Sequence, residues 1–89
     1  MAKTRITIIN KLGLHARAAA KFVSTAANFD CQVKVSANGQ TVDGKSIMSV
    51  MMLAAAKGTE VELECRGDDA AQALAAITEL INNRFDEAE

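Results

Sequence analysis

The 89-residue chain has no tryptophan, tyrosine or proline, and only three phenylalanines. Aromatic surfaces on which bases or sugars could stack are therefore scarce. Cys31 and Cys65 are the only cysteines. Two thiols so far apart make neither a disulfide framework nor a CxxC site, and both read as small, reduced, inward-facing strand residues. With a single histidine they are also too few and too scattered for a metal site; neither metal nor cofactor is expected. The N-terminal stretch lacks the apolar core of a signal peptide, and no run approaches the ~20 apolar residues of a membrane span. A cytoplasmic location without membrane insertion is the expectation.

What is present is 49% apolar and 24% charged, the profile of an ordinary soluble protein. The length suits one core and one domain spanning residues 1–89. The net charge of −1 conceals an asymmetry. Residues 1–57 carry eight Lys/Arg against Asp30 and Asp43, or +6, whereas residues 58–89 carry Arg66 and Arg84 against nine acids, or −7. The basic part holds the only histidine and favours anionic ligands or acidic partner surfaces. The basic residues are scattered and no aromatics interleave them, which argues against nucleic acid.

Ile6 and Ile8 alternate with polar neighbours as in a half-buried strand. Asn10-Lys11-Leu12-Gly13-Leu14 breaks the pattern as a loop. From Ala16, apolar residues at Ala16, Ala19, Ala20, Val23, Ala26 and Ala27 outline one helical face, closed by Asn28. Cys31, Val33 and Val35 alternate as a second strand. Asn38-Gly39 signals a hairpin because both residues tolerate positive φ, and Gln40 to Asp43 is the returning strand. Ser46 is an N-cap for a helix predicted to run to about Ala56 and stop before Gly58. Strict alternation over 60–65 gives a strand with its acids in water. Gly67-Asp68-Asp69 supplies a turn and an N-cap, and Ala70, Ala73, Leu74, Ile77, Leu80 and Ile81 form the stripe of a last helix. Asp86, Glu87 and Glu89 oppose the helix dipole, so the tail is expected to fray. The order βαββαβα predicts an α+β two-layer open-faced sandwich, a four-stranded antiparallel sheet with three helices on one face. That architecture alone names no function.

His15 stands between a loop and a helix start. First-turn N–H groups there point outward and carry partial positive charge, an anion site by construction. The same field disfavours an imidazolium, which leaves the ring a free nitrogen lone pair. Arg17, two residues on, can meet a dianionic phosphoryl group with directed hydrogen bonds, and the first-turn amides of Ala16, Arg17 and Ala18 complete the cradle. A nucleophilic nitrogen, helix donors and a guanidinium together suit phosphoryl transfer.

Gly13-Leu14-His15-Ala16-Arg17, followed by a small-residue helix, resembles the active-site motif of the HPr family, the histidine-containing phosphocarriers of the phosphoenolpyruvate-dependent sugar phosphotransferase system. Ser46-Ile47-Met48-Ser49-Val50-Met51 resembles the family's second hallmark, at its regulatory serine, and the likeness spans essentially the whole chain. It implies an HPr-like fold and a stoichiometric carrier, not an enzyme. His15 would be phosphorylated on Nδ1 by Enzyme I and phosphoenolpyruvate and would pass the group to an EIIA-type protein. Where a bifunctional HPr kinase/phosphorylase exists, Ser46 would be its target. The chain departs from the family in having Ala18 where proline is usual; alanine offers one more N–H to a phosphate in place of a stiffened first turn.

Residues 39–46 also match the nucleotide-binding pattern G-x-x-x-x-G-K-S. The match is rejected, because its first glycine belongs to an Asn-Gly hairpin and the intervening residues form a strand. The second helix is too apolar for one buried face: Val50, Leu53 and Ala54 can face the sheet, while Met48, Met51 and Met52 cannot all follow. Exposed, adaptable methionine suits docking to several partners, and the resemblance places Ile47, Met48 and Met51, with Ala20, beside the active histidine. Lys21 and Lys45 would add positive charge toward acidic partners. Two other readings compete: a small regulatory α+β domain binding an anion at a helix N-terminus, and a carrier of a nitrogen-linked branch of the phosphotransferase system. A shuttle visiting several partners is best served by a monomer.

Overall fold

Alternation along the chain becomes four strands of one antiparallel sheet in the computed structural model, which describes residues 1–88. The elements are β1 (Ala2–Thr7), α1 (Ala16–Ala26), β2 (Gln32–Ala37), β3 (Gln40–Asp43), α2 (Ile47–Met52), β4 (Glu60–Arg66) and α3 (Ala70–Asn82), followed by a turn at Arg84–Asp86. The strand order is β1-β4-β2-β3. Ala2 pairs with Cys65 and Thr7 with Glu60; Val33 pairs with Cys65 and Val35 with Val42. Because side chains alternate across a strand, Val33, Val35, Val61, Leu63 and Cys65 all point into the core. The opposite face carries Lys3, Arg5, Lys34, Glu62 and Glu64, with Arg5 and Lys3 bonded to Glu62. The helices pack on the apolar face, α3 on β1 and β4, α2 on β3, and α1 on the other two helices. The α+β open-faced sandwich expected from the sequence is thus the fold of the described residues.

Local signals hold where the chemistry is short-range. Asn38 and Gly39 both adopt positive φ, +52° and +81°, as a two-residue hairpin requires. Ser46 Oγ accepts the Ser49 N–H at 3.3 Å and so caps α2. On α3 the stripe of Ala70, Ala73, Ile77 and Ile81 is buried, with Leu74 and Leu80 packed at its margin. Cys31 and Cys65 are buried free thiols. Burial, reinforced by the neighbouring Cys31, pushes the Cys65 thiol up to about 11, so it stays protonated in the core.

Four expectations need correction. The buried stripe of α1 is Ala18, Ala19, Phe22 and Ala26, while Ala16 and Ala27 are exposed and Ala20 and Val23 are marginal. Phe22, the bulkiest apolar side chain on the helix, sets its rotation, since burying it gains ~1.5–3 kcal/mol. Secondly, α2 ends at Met52 and does not reach Ala56. Ala54 turns to φ +52°, which leaves it exposed and buries Ala55 in its place. The chain leaves the helix there because the Ala55 carbonyl accepts the Leu14 N–H at 2.9 Å. Thirdly, Asp69 precedes α3 but its carboxylate makes no cap bond to that helix. It turns aside to accept the N–H groups of Asp30, at 2.8 Å, and Cys31, at 3.0 Å, and so ties the start of β2 to the start of α3. Finally, the tail does not fray at Asp86 and Glu87: Phe85 is fully buried and Glu87 is hydrogen-bonded to two side chains. Glu89 lies outside the described residues.

Candidate functional site

The loop before α1 is held to the segment after α2, and this sets where the histidine stands. Gly13 has φ +67°, and a Cβ there would lie 2.6 Å from the Ala55 carbonyl oxygen, so the close crossing that carries the Leu14–Ala55 hydrogen bond admits only glycine. Leu14 is then buried as an anchor, and His15 follows in extended conformation (φ −76°, ψ 179°) as the N-cap of α1. Its carbonyl accepts the Ala19 N–H at 2.8 Å, which closes the first helical turn. The side chain of His15 does not cap the helix; it is about a quarter exposed, at 28%. The first-turn amides of Ala16, Arg17 and Ala18 therefore remain available to an anion beside the ring.

The ring opens on a cleft lined by Lys11, Leu12, Ala16, Arg17, Lys21, Asp86 and Glu87. The Arg17 side chain is exposed and forms no hydrogen bond or ion pair among the described residues. Lys21 is one helical turn further along, and its Nζ donates to the Phe85 carbonyl at 2.6 Å. Ala18 is fully buried beneath the first turn, so its methyl packs inward while its N–H stays at the helix mouth.

The opposite wall of the cleft was not foreseen. Arg84, Phe85 and Asp86 take φ of +58°, +54° and +62°, an unusual left-handed run for residues with side chains. That run brings the chain back over α1. Glu87 Oε2 accepts a hydrogen bond from His15 Nε2, and Glu87 Oε1 accepts one from Asn10 Nδ2 at 2.9 Å. The second hydrogen of the Asn10 amide goes to the Gly13 carbonyl at 2.9 Å. Burial pushes the Glu87 carboxyl up, but the hydrogen bonds from Asn10 and His15, with the charge of Lys21, hold it below the usual carboxylate range. A carboxylate thus faces the ring, and a guanidinium lines the same cleft. Phe85 carried a readable signal, because it extends the α3 stripe by one more step of four beyond Ile81. Asn10 and Glu87 carried none, being separated from their partner by a loop and by 72 residues respectively.

The family whose model matches residues 2–83 is described as the PTS HPr component phosphorylation site. The chain belongs to the HPr family. It is 62% identical over 90 residues to the phosphocarrier protein HPr of Pseudomonas aeruginosa and 58% identical over 89 residues to that of Neisseria meningitidis, covering all of both chains in each case. Among solved structures, HPr of Thermoanaerobacter tengcongensis matches with a TM-score of 0.96 at 43% identity, each chain covered completely. The swapped dimer of the Bacillus subtilis catabolite repression protein Crh matches with a TM-score of 0.75 at 37% identity, over 93% of this chain and 95% of that one. These relatives make the chain a member of a phosphocarrier family of the phosphotransferase system.

The remaining candidate residues of this HPr-family chain fall outside the cleft. Ser46 is half-buried at the start of α2, and Ile47, Met48 and Met51 are exposed by 42%, 71% and 38%. Met52, at 65%, and Leu12, on the rim of the cleft, are also exposed, while Val50 and Leu53 take the core. The methionine stripe is therefore in water, on a helix packed beside α1. Ala20 is half-buried on α1. Lys45 is not gathered with these residues: its Nζ donates to the Phe29 carbonyl at 2.6 Å, and it lines a separate cleft with Asp30 and Asp43. Among the described residues, no helix is long and apolar enough to cross a membrane, and no group of three or more His, Cys, Asp or Glu could hold a metal ion.

Proposed function

We propose that the chain is a phosphoryl carrier in which His15 takes a phosphoryl group from phosphorylated Enzyme I and delivers it to an EIIA-type protein. The observation that carries this reading is the placing of a partly exposed imidazole at the open N-terminus of α1, with the exposed Arg17 guanidinium in the same cleft. A ring nitrogen attacks phosphorus as the bond to the donor breaks; first-turn amides and Arg17 meet the oxygens and their charge. The next partner's nucleophile then attacks the same phosphorus and the N–P bond breaks, so the carrier is restored without being an enzyme. Membership of a phosphocarrier family supports this role, and such traffic belongs in the cytoplasm, within one domain over residues 1–89. The test is incubation with labelled phosphoenolpyruvate and Enzyme I. An acid-labile, base-stable mark that is absent in His15→Ala is expected; no mark on the wild-type chain would overturn the reading.

Ile47, Met48 and Met51, with Ala20 and Lys21, form the docking surface in this reading, and Ser46 is its regulatory position. A phosphate on Ser46 would sit at a helix N-terminus that tolerates it while placing negative charge before acidic partners. Ser46→Asp is therefore expected to slow labelling of His15 without unfolding the protein. Unchanged labelling would remove the regulatory role, and with it the place of an HPr kinase/phosphorylase among the partners.

A further inference from the structure

We infer that Glu87 is a positioning residue for His15: by accepting the Nε2 proton it holds the imidazole in the tautomer whose lone pair lies on Nδ1. The inference rests on the carrier reading for its consequence, though its physical basis is independent of it. An ionised carboxylate has lone pairs and no hydrogen to give, so in the contact between His15 Nε2 and Glu87 Oε2 the ring must be the donor. A neutral imidazole bears one N–H; with that hydrogen on Nε2, Nδ1 is left as the nucleophilic atom.

The carboxylate is itself held in place from two directions. Its other oxygen accepts Asn10 Nδ2, and Asn10 is fully buried with its second amide hydrogen on the Gly13 carbonyl, inside the loop that delivers His15. Phe85, fully buried two residues earlier, pins the returning turn to the core, and Lys21 grips its carbonyl. A surface acid meeting a histidine by chance would have neither anchor. The left-handed φ of three successive residues that carry side chains shows the backbone bent to make this approach.

The chemical consequence concerns protons. When Nδ1 bonds to phosphorus and the donor bond breaks, Nε2 keeps its hydrogen and the ring becomes cationic. Glu87, already hydrogen-bonded to that atom, faces the new charge. When the N–P bond breaks in delivery, the electron pair returns to Nδ1 and the ring is neutral again with the same proton on Nε2. No proton has to enter or leave in either direction. The charged groups lining the cleft around the ring are Lys11, Arg17 and Lys21 on the cationic side and Asp86 and Glu87 on the anionic side.

The experiment is imidazole ¹⁵N NMR of the wild type, Glu87→Ala and Glu87→Gln, paired with Enzyme I-dependent labelling of each across pH. The wild-type ring, once neutral, is expected in the Nε2–H form. Glu87→Ala is expected to let a substantial Nδ1–H population appear and to slow labelling by roughly tenfold or more, as losing a tautomer-fixing carboxylate does elsewhere. Glu87→Gln keeps its one amide oxygen on Asn10 and turns an NH2 donor toward Nε2, so it is expected to shift the ring toward Nδ1–H and to slow labelling at least as much as Glu87→Ala. A wild-type ring in the Nδ1–H form, or an unchanged tautomer ratio in Glu87→Ala, would overturn the inference. The spectra need no phosphoryl donor, so a chain that kept this tautomer but took no label would refute the carrier reading and leave the role of Glu87 standing.

Discussion

The starts of α1 and α3 are both helix N-termini without a capping side chain, yet their surroundings are opposite. At α3 the preceding residues are Asp68 and Asp69, and the Asp69 carboxylate is occupied with the Asp30 and Cys31 amides. That end is closed by a strand start and carries its own negative charge. At α1 the preceding residue is a histidine, the first turn holds no acid, and Arg17 and Lys21 flank the opening. The acids brought near, Asp86 and Glu87, come from the far end of the chain, and Glu87 is bound to the ring's Nε2. The same backbone geometry is thus a structural joint in one place and an open helix mouth flanked by cations in the other. What separates them is which side chains surround the free N–H groups.

Four substitutions test that contrast, from the largest effect to the smallest. Phe85→Ala removes the anchor that folds the C-terminal turn onto the α1 opening. It is expected to cost about 3–5 kcal/mol in denaturant unfolding, the usual cost of emptying a buried aromatic position, while leaving the Asp69 joint intact. Ala16→Glu gives α1 the acid that α3 has beside its own start. Helix stability is expected to rise by about 0.3–1 kcal/mol, while labelling of His15 falls by about 100-fold, the scale of losing a preorganised charge interaction; the opposite signs separate site from scaffold. For Asp69, the backbone hydrogen bond from Asp30 is the main force holding its carboxyl below the usual range, partly offset by burial and aided by the Cys31 contacts. A depressed native value means the stabilisation is complete above the unfolded aspartate pKa of about 3.9 and is lost as pH falls through the lower native value. Asp69→Asn is expected to flatten that acid limb in pH-dependent thermal unfolding and leave His15 labelling at neutral pH unchanged. Ser46→Ala removes one long cap bond from a six-residue helix. The expected cost is about 0.5–1 kcal/mol in the same unfolding measurement.

Much of this was legible beforehand, for reasons that particular residues make plain. Val33 and Val35, or Val61, Leu63 and Cys65, need only the two-residue period of a strand to declare their face. Asn38-Gly39 needs only its own backbone freedom. The place of His15 at a helix start was legible because the small-residue helical pattern begins at the next residue. The errors arose where one element was decided by another. Ala54 looked like a helix residue until the Ala55 carbonyl was required by Leu14. The α1 stripe was misjudged by spacing alone, since Phe22 outweighs several alanines in choosing the buried side. Lys45, close in sequence to the exposed methionines of α2, donates to the Phe29 carbonyl, a partner that no local pattern announces.

By itself the sequence determined the strands, the hairpin, the helix starts and the neighbourhood of His15 with Arg17, because those follow from periodicity and from residues within a few positions of one another. Only the tertiary structure decided that Ala55 and not Ala54 would be buried, that Asp69 would tie one element to another, and that Glu87 would meet the imidazole. The physical reason is distance along the chain. A contact spanning 72 residues leaves no local pattern; it exists because a core must first fold and then bring the two segments within hydrogen-bonding reach.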